Sequence, residues 1–233
     1  NELKRFEQMT GAQKRENSHI PLVMYGIAKR AAIEPKLVMP NAQEDEGSKL
    51  NHTIEHTLKA LKDSEAYRGT CAIFCDNYKR NELRDGKKVV VYNMFDDMVS
   101  RLVERGVKRE EIVVMKSGMS AATKEKIFEQ VNNGDVRVII GTTETLGTGV
   151  NIQQRLFFLA MMDIPDRPMD YLQRIGRIIR QGNLHKKWGI RVRILRFGVK
   201  KSLDVTGYQR LKTKSDFINS IMESKYLLNN NLS

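Results

Sequence analysis

Apolar positions recur along this chain in two alternating rhythms. One is the three-to-four spacing of a helix; the other is a short unbroken run of a buried strand. Residues 1 to about 62 are polar with helical spacing. Leu22–Ile33 follows Pro21 as a helix that Pro35 and Pro40 terminate. An acidic loop, NAQEDEGSKL, follows; its Ser48 is placed to cap a helix whose stripe is Ile54, Leu58 and Leu61. After Gly69 strands begin. Thr70–Asp76 (TCAIFCD) and Lys87–Asn93 (KKVVVYN) both read as buried parallel strands, and the charged NYKRNELRDG between them receives no structure. Phe95, Met98, Val99, Leu102 and Val103 mark a helix stopped by Gly106. The remaining strands are Glu111–Met115, Val136–Ile140, Leu156–Asp163 and a half-buried Arg191–Val199. Between them lie a helix from Ser120 to Gly134, burying Ile127, Phe128 and Val131, and a helix over Arg167–Ile179 with a proline in its first turn. The tail from about Ser202 is helical in this reading, anchored by Phe217, Ile221, Leu227 and Leu228.

Strands alternating with helices of this length predict an α/β fold, a parallel sheet flanked by helices. Ligands of such sheets sit beyond the carboxyl ends of the strands. Two polar segments fall there: GTTETLGTGVN, Gly141–Asn151, and DIPDRP, Asp163–Pro168.

Composition narrows the class. Apolar residues make up 40% and charged residues 29% of 233, as in a folded chain. No run of 18 apolar residues occurs, so no membrane span is expected. The start, NELKRFEQMTG, has no signal-peptide layout, and its lack of an initiator methionine points to a fragment or processed chain; the chain's two cysteines point to the cytoplasm. Cys71 and Cys75 read as reduced thiols, and no second pair of soft ligands accompanies them, so no metal site is expected. Net charge is +12; eleven Lys/Arg against two acids between Ile164 and Lys201 account for +9 of it. Such a cluster favours a polyanion or phosphate; a basic surface kept for solubility is the alternative.

The chemistry concentrates in two stretches. Glycines of GTTETLGTGVN let backbone N–H groups approach a ligand, and the hydroxyls of Thr142, Thr143 and Thr148 can bond phosphate or backbone. DYLQRIGRIIRQG, Asp170–Gly182, spaces Arg174, Arg177 and Arg180 by three, with Ile175, Ile178 and Ile179 on a second face suited to core packing. Gly176 in a helix interior costs roughly 1 kcal/mol relative to alanine, a hint of close backbone approach. Arginine suits phosphate because its planar fork donates two parallel bonds and keeps its charge. No GxxxxGK[ST] loop occurs to cradle that phosphate. Asp96-Asp97 reads as first-turn helix charge, not as a magnesium site. Lys116, at a strand end, is a backbone-contact candidate. His52 and His56 read as a solvated helix face, His19 and His185 as incidental, and Trp188 as packing at the domain edge.

An arginine side without a phosphate cradle resembles the second RecA-like domain of superfamily-two helicases and translocases. The resemblance covers about Leu22 to Lys225. It lies nearest the remodeller-like branch and the helicase–methylase proteins of bacterial mobile elements and phages. Gln173, Gly176, Arg177, Arg180 and Gly182 match the QxxGRxxRxG motif, and Gly147 to Asn151 match a GxGxN motif. The resemblance implies that Arg177 and Arg180 reach ATP held by another domain, that Gln173 couples nucleotide to the cleft, and that Gly147, Gly149 and Asn151 lie on the nucleotide side. It implies nucleic-acid contacts at Ser120 and, in the GxGxN motif, Thr148, which join Lys116, Thr142 and Thr143 as nucleic-acid candidates. Ile175 departs from relatives, which often carry glutamate there. The implied cofactors are ATP and Mg2+, held mainly by an N-terminal RecA-like domain. The implied polyanion is DNA, with RNA the alternative. The expected layout is a helical segment and acidic linker over 1–66, a RecA-like domain over 67–200 and a helical extension over 201–233. The chain by itself is expected not to hydrolyse ATP. A non-catalytic nucleic-acid-binding or scaffold module with the same fold is the competing reading; it would have no need of Gln173, Arg177 and Arg180 together.

Overall fold

The computed structural model describes residues 5, 7–147, 149–198 and 204–216. Among these residues, five parallel strands form the central sheet: β1 (Thr70–Phe74), β4 (Ile112–Val114), β5 (Val138–Gly141), β6 (Leu156–Met161) and β7 (Arg193–Arg196), in the order β4-β5-β1-β6-β7. The apolar runs explain that order. Every residue of β1, β5 and β6 is buried, as strands covered on both faces must be, whereas the edge strand β7 exposes both its ends. The fold is RecA-like.

Side chains of β1 alternate between two cores. Cys71, Ile73 and Cys75 join Ile33, Leu37, Leu50, Ile54, Met98 and Leu102; Ala72 and Phe74 join Ile127, Val131, Leu146, Val150, Ile152 and Ile178. The first face is covered by α2 (His19–Ile33), α3 (Lys49–Asp63) and α4 (Met94–Glu104), the second by α5 (Ala121–Asn133) and α6 (Thr143–Gly147). A short helix, α1 (Gly11–Glu16), precedes them. Both cysteines are free and buried, and burial pushes the Cys71 thiol up to about 12.

The helix signals act as the sequence places them. Ser48 and Ser120 cap α3 and α5, their hydroxyls accepting from the N–H of Asn51 and Thr123, and Gly134 closes α5 at φ 83°. Asp96 and Asp97 occupy the first turn of α4. Pro21 lies inside the first turn of α2, which begins at His19 rather than Leu22.

Three expectations are corrected. KKVVVYN is not a strand of the central sheet: β3 (Lys87–Asn93) pairs antiparallel with β2 (Lys79–Arg84), which arises from the stretch left without structure. Asp85 and Gly86 turn the hairpin with φ of 51° and 72°, the left-handed pair that a two-residue hairpin loop requires. The arginine helix is also shorter. α7 (Pro168–Ile175) ends at Gly176, beyond which the backbone turns; a Cβ on Gly176 would stand 3.0 Å from the Leu172 carbonyl oxygen. Ile178 is buried and Ile175 packs on the second core, but Ile179 is 59% exposed and packs no core.

A short helix, α8 (Leu184–Lys187), precedes β7, and residues 204–216 form α9. Lys49 pairs with Asp204 at 2.8 Å, Arg210 donates to Tyr25 Oη, and Lys214 donates to the Asp166 carbonyl, so α9 is tied to α2, α3 and the end of β6. Phe217, Ile221, Leu227 and Leu228 lie outside the described residues. Among those described, no helix is long and apolar enough to cross a membrane.

Candidate nucleotide and nucleic-acid site

Past the carboxyl ends of β1, β5 and β6 the motif arginines separate into two kinds. Arg174, on α7, is fully buried. Its Nη2 donates to Asp76 at 2.8 Å, its Nη1 to the carboxylate of Asp163 at 3.0 Å and to that residue's carbonyl at 2.9 Å, and its Nε to Thr143 Oγ1 at 2.9 Å. Thr143 in turn donates to Asp76, from N–H at 2.7 Å and from Oγ1 at 2.9 Å. Asp163 also accepts from the N–H of Asp76 and Asn77 and from the Asn77 amide, at 2.8 to 3.0 Å. Burial would raise the Asp163 carboxyl, but the Arg174 charge and these bonds outweigh it and hold the carboxyl below its ordinary range. One buried cation thus clamps the ends of β1 and β6 to the start of α6.

Arg177 and Arg180 follow the end of α7 and have a different environment. Arg177 donates to the carbonyls of Gly147 and Val150, and Arg180 donates to Asn151 Oδ1 at 2.6 Å. Asn132 of α5 grips the same loop from the other side, donating to the Asn151 carbonyl at 2.7 Å. Neither arginine forms an ion pair with a carboxylate among the described residues. Burial and the neighbouring Arg180 charge lower the pKa of Arg177, and its buried Nε has no hydrogen-bond partner. Two adjacent guanidinium groups thus lack a described carboxylate partner, and one of them has an unused donor.

Gln173 lines a cleft of about 590 Å³ with Asp76, Tyr78, Ser117, Thr142 and Thr143, and a Cβ on Gly147 would stand 3.1 Å from its Oε1. A side chain at 147 would therefore require the Gln173 amide to shift by a few tenths of an ångström. Gly149 takes φ 68°, and the exposed Asn151 faces a second groove of about 500 Å³ against α5. Lys116 and Ser120 are exposed between β4 and α5; the Ser120 hydroxyl serves the α5 cap. Thr142 and Thr143 lie at the cleft, with Thr143 Oγ1 committed to Asp76 and Arg174. Thr148 lies outside the described residues.

Residue patterns missed the clamp. Asp76 and Asp163 each end an apolar strand, the position at which a parallel sheet presents polar groups, and that signal was present. His185 is not incidental: fully buried, it meets the Arg155 carbonyl through Nε2 at 2.9 Å and packs among Tyr67, Phe157 and Trp188. Trp188 packs on Tyr67, with ring centroids 5.3 Å apart. His52 and His56 are exposed on α3, and among the described residues no group of three or more His, Cys, Asp or Glu is placed to hold a metal ion.

Known proteins resemble this chain in sequence or in fold. Eukaryotic initiation factor 4A-3 of Arabidopsis thaliana is 29% identical over 135 residues, 55% of this chain and 31% of that protein. Eukaryotic initiation factor 4A-9 of Nicotiana tabacum gives the same identity and coverage. The chain thus spans about a third of the length of these relatives. The crystal structure of the C-terminal part of the Fun30 ATPase domain superposes with a TM-score of 0.51 at 16% identity, over 80% of this chain and 54% of that one, a likeness of fold. Residues 54–182, which hold β1 to β6 and every motif arginine, match the helicase conserved C-terminal domain, and the chain belongs to that family.

Proposed function

We propose that this chain is the C-terminal motor half of an ATP-dependent DNA translocase or helicase of the remodeller-like branch. Its part is to bring Arg177 and Arg180 to the phosphates of ATP held by an N-terminal RecA-like domain. The supporting observation is the guanidinium pair: adjacent, unneutralised by any described carboxylate, and with Arg177 Nε buried and unpartnered. These groups fit a polyphosphate. ATP, when bound, supplies the phosphoryl group whose hydrolysis drives the motor. Arg177 and Arg180 place positive charge where negative charge spreads in the transition state. They also hold the Gly147–Asn151 loop, so the nucleotide side and the loop share one support. Gln173, against Gly147, links that support to the cleft. Mg2+ belongs in this reading with the first domain. Lys116, Ser120, Thr142, Thr143 and Thr148 are assigned to a DNA strand in this reading; Lys116 and Ser120 are exposed, Thr142 and Thr143 lie at the cleft, and Thr148 lies outside the described residues.

Hydrolysis assays on the isolated chain and on the same chain joined to its first domain test the assignment. The isolated chain is expected to show no turnover, and the joined protein DNA-stimulated turnover. Hydrolysis by the pure isolated chain contradicts the proposal, and so does a joined protein that binds DNA without hydrolysing ATP, the behaviour of a scaffold module.

A further inference from the structure

The β2–β3 hairpin is an exposed ribbon with little core of its own. Near its tip Leu83 is 79% exposed, and on the middle of β3 Val90 is 48% exposed. A two-stranded hairpin alone is marginally stable in water, so its base must hold it. The base is well held: Tyr78 stacks on Phe95 with ring centroids 4.0 Å apart, Tyr92 donates to Asp97 at 2.7 Å, and Arg80 donates to the Lys36 carbonyl at 2.6 Å. The tip has no such support.

Charge shows what the ribbon fits. From Lys79 to Lys88 it carries five Lys/Arg and two acids. Glu82 is shared between Arg80 and Arg84, whereas Lys79, Lys87 and Lys88 form no ion pair among the described residues. Lys79 Nζ stands 4.7 Å from the centre of the Tyr78 ring, and Tyr78 lines the cleft that holds Thr142 and Thr143. Lys79 and Lys88 also line a groove of about 510 Å³ with Arg30 and Arg80. Asp76, Glu144 and Asp170 also line the cleft, so the cationic surface begins at its Tyr78 edge, where Lys79 leads to the groove and the hairpin.

We infer that the β2–β3 hairpin is a second nucleic-acid contact, in which Lys79, Lys87 and Lys88 bond backbone phosphates of a strand leaving the cleft and Leu83 and Val90 lie against its bases and sugars. The inference rests on the proposed nucleic-acid reading and extends it to residues outside the helicase motifs. Cations that neutralise phosphates release counterions, so each phosphate contact adds to the salt dependence of binding.

The test is the salt dependence of binding of a fluorescein-labelled single-stranded DNA 20-mer to the 233-residue chain. The triple variant Lys79→Gln, Lys87→Gln, Lys88→Gln is expected to flatten the slope of log K against log salt by about 2, and the corresponding three Lys→Arg changes to restore it. These side chains are exposed, and the arginine variant separates lost charge from lost folding. An unchanged slope in the glutamine variant overturns the inference and leaves the hairpin to a protein partner. If in the same assay Lys116→Gln weakens binding while the hairpin variant does not, the hairpin alone is excluded. A wild-type chain that binds no DNA overturns both this inference and the nucleic-acid reading beneath it.

Discussion

Arg174 and Arg177 are three residues apart and carry the same group in opposite electrostatic settings. Arg174 is neutralised by Asp76 and Asp163 at 2.8 and 3.0 Å; Arg177 touches only carbonyls and repels Arg180. Breaking a buried pair leaves an uncompensated charge, so Arg174→Ala should cost about 3–5 kcal/mol in urea unfolding. Arg177→Ala, which removes no ion partner, should cost much less in the same measurement. The pair also sets a pH dependence. The folded Asp163 carboxyl is held below its unfolded value of about 3.9, so its contribution is complete above that value and disappears as pH falls through the lower folded one. His185 acts earlier. Burial lowers its folded pKa, so the folded chain favours neutral imidazole and loses stability as pH drops below the unfolded value of about 6.5. Melting temperature followed from pH 8 to pH 3 should therefore fall in two stages, with the first reduced in His185→Asn. The three arginines were legible as a set from their spacing. Their division was not, because it depends on Asp76 and Asp163, carboxylates 87 residues apart in sequence that both bond the same guanidinium. His185 was illegible for a similar reason: its burial comes from Tyr67 and Phe157 on other elements.

Among the elements, those with both a start and a stop signal were read most fully. α5 has Ser120 at one end and Gly134 at the other, and its observed span follows both. At Gly134 a Cβ would stand 2.8 Å from Arg68 Cβ on a left-handed backbone. Gly134→Ala should therefore destabilise the chain by about 1–3 kcal/mol, measured by denaturant unfolding, whereas Gly86→Ala, with open space and the same sign of φ, should cost less. The hairpin was misread because a run such as KKVVVYN fits a buried strand or an exposed one equally well by apolar content. Asp85-Gly86 was the deciding signal, since that dipeptide between two extended runs specifies a tight hairpin. α7 was read too long because Ile178 and Ile179 continue the apolar spacing past Gly176, although only Ile178 is buried. Its true end matters to the site: beyond Gly176 the chain turns, and that turn aims Arg177 and Arg180 at the Gly147–Asn151 loop.

At the scale of the whole molecule, the sheet order β4-β5-β1-β6-β7 gathers the ends of separate strands at one edge, where the clamp, the cleft and the guanidinium pair lie together. The alternation of strands and helices announced that edge, and the absence of a phosphate loop is what the proposed half-site reading rests on. Helices α2, α3 and α9 are tied together: the buried Lys49–Asp204 pair at 2.8 Å joins segments 155 residues apart and so braces the body that carries the arginines. The most direct measurement is steady-state ATP hydrolysis by the chain joined to its first domain, wild type against Arg177→Ala, with DNA affinity measured alongside. The account predicts a fall in turnover of about 10³-fold or more with DNA affinity within about threefold. Turnover within tenfold of wild type, at intact DNA affinity, would contradict it.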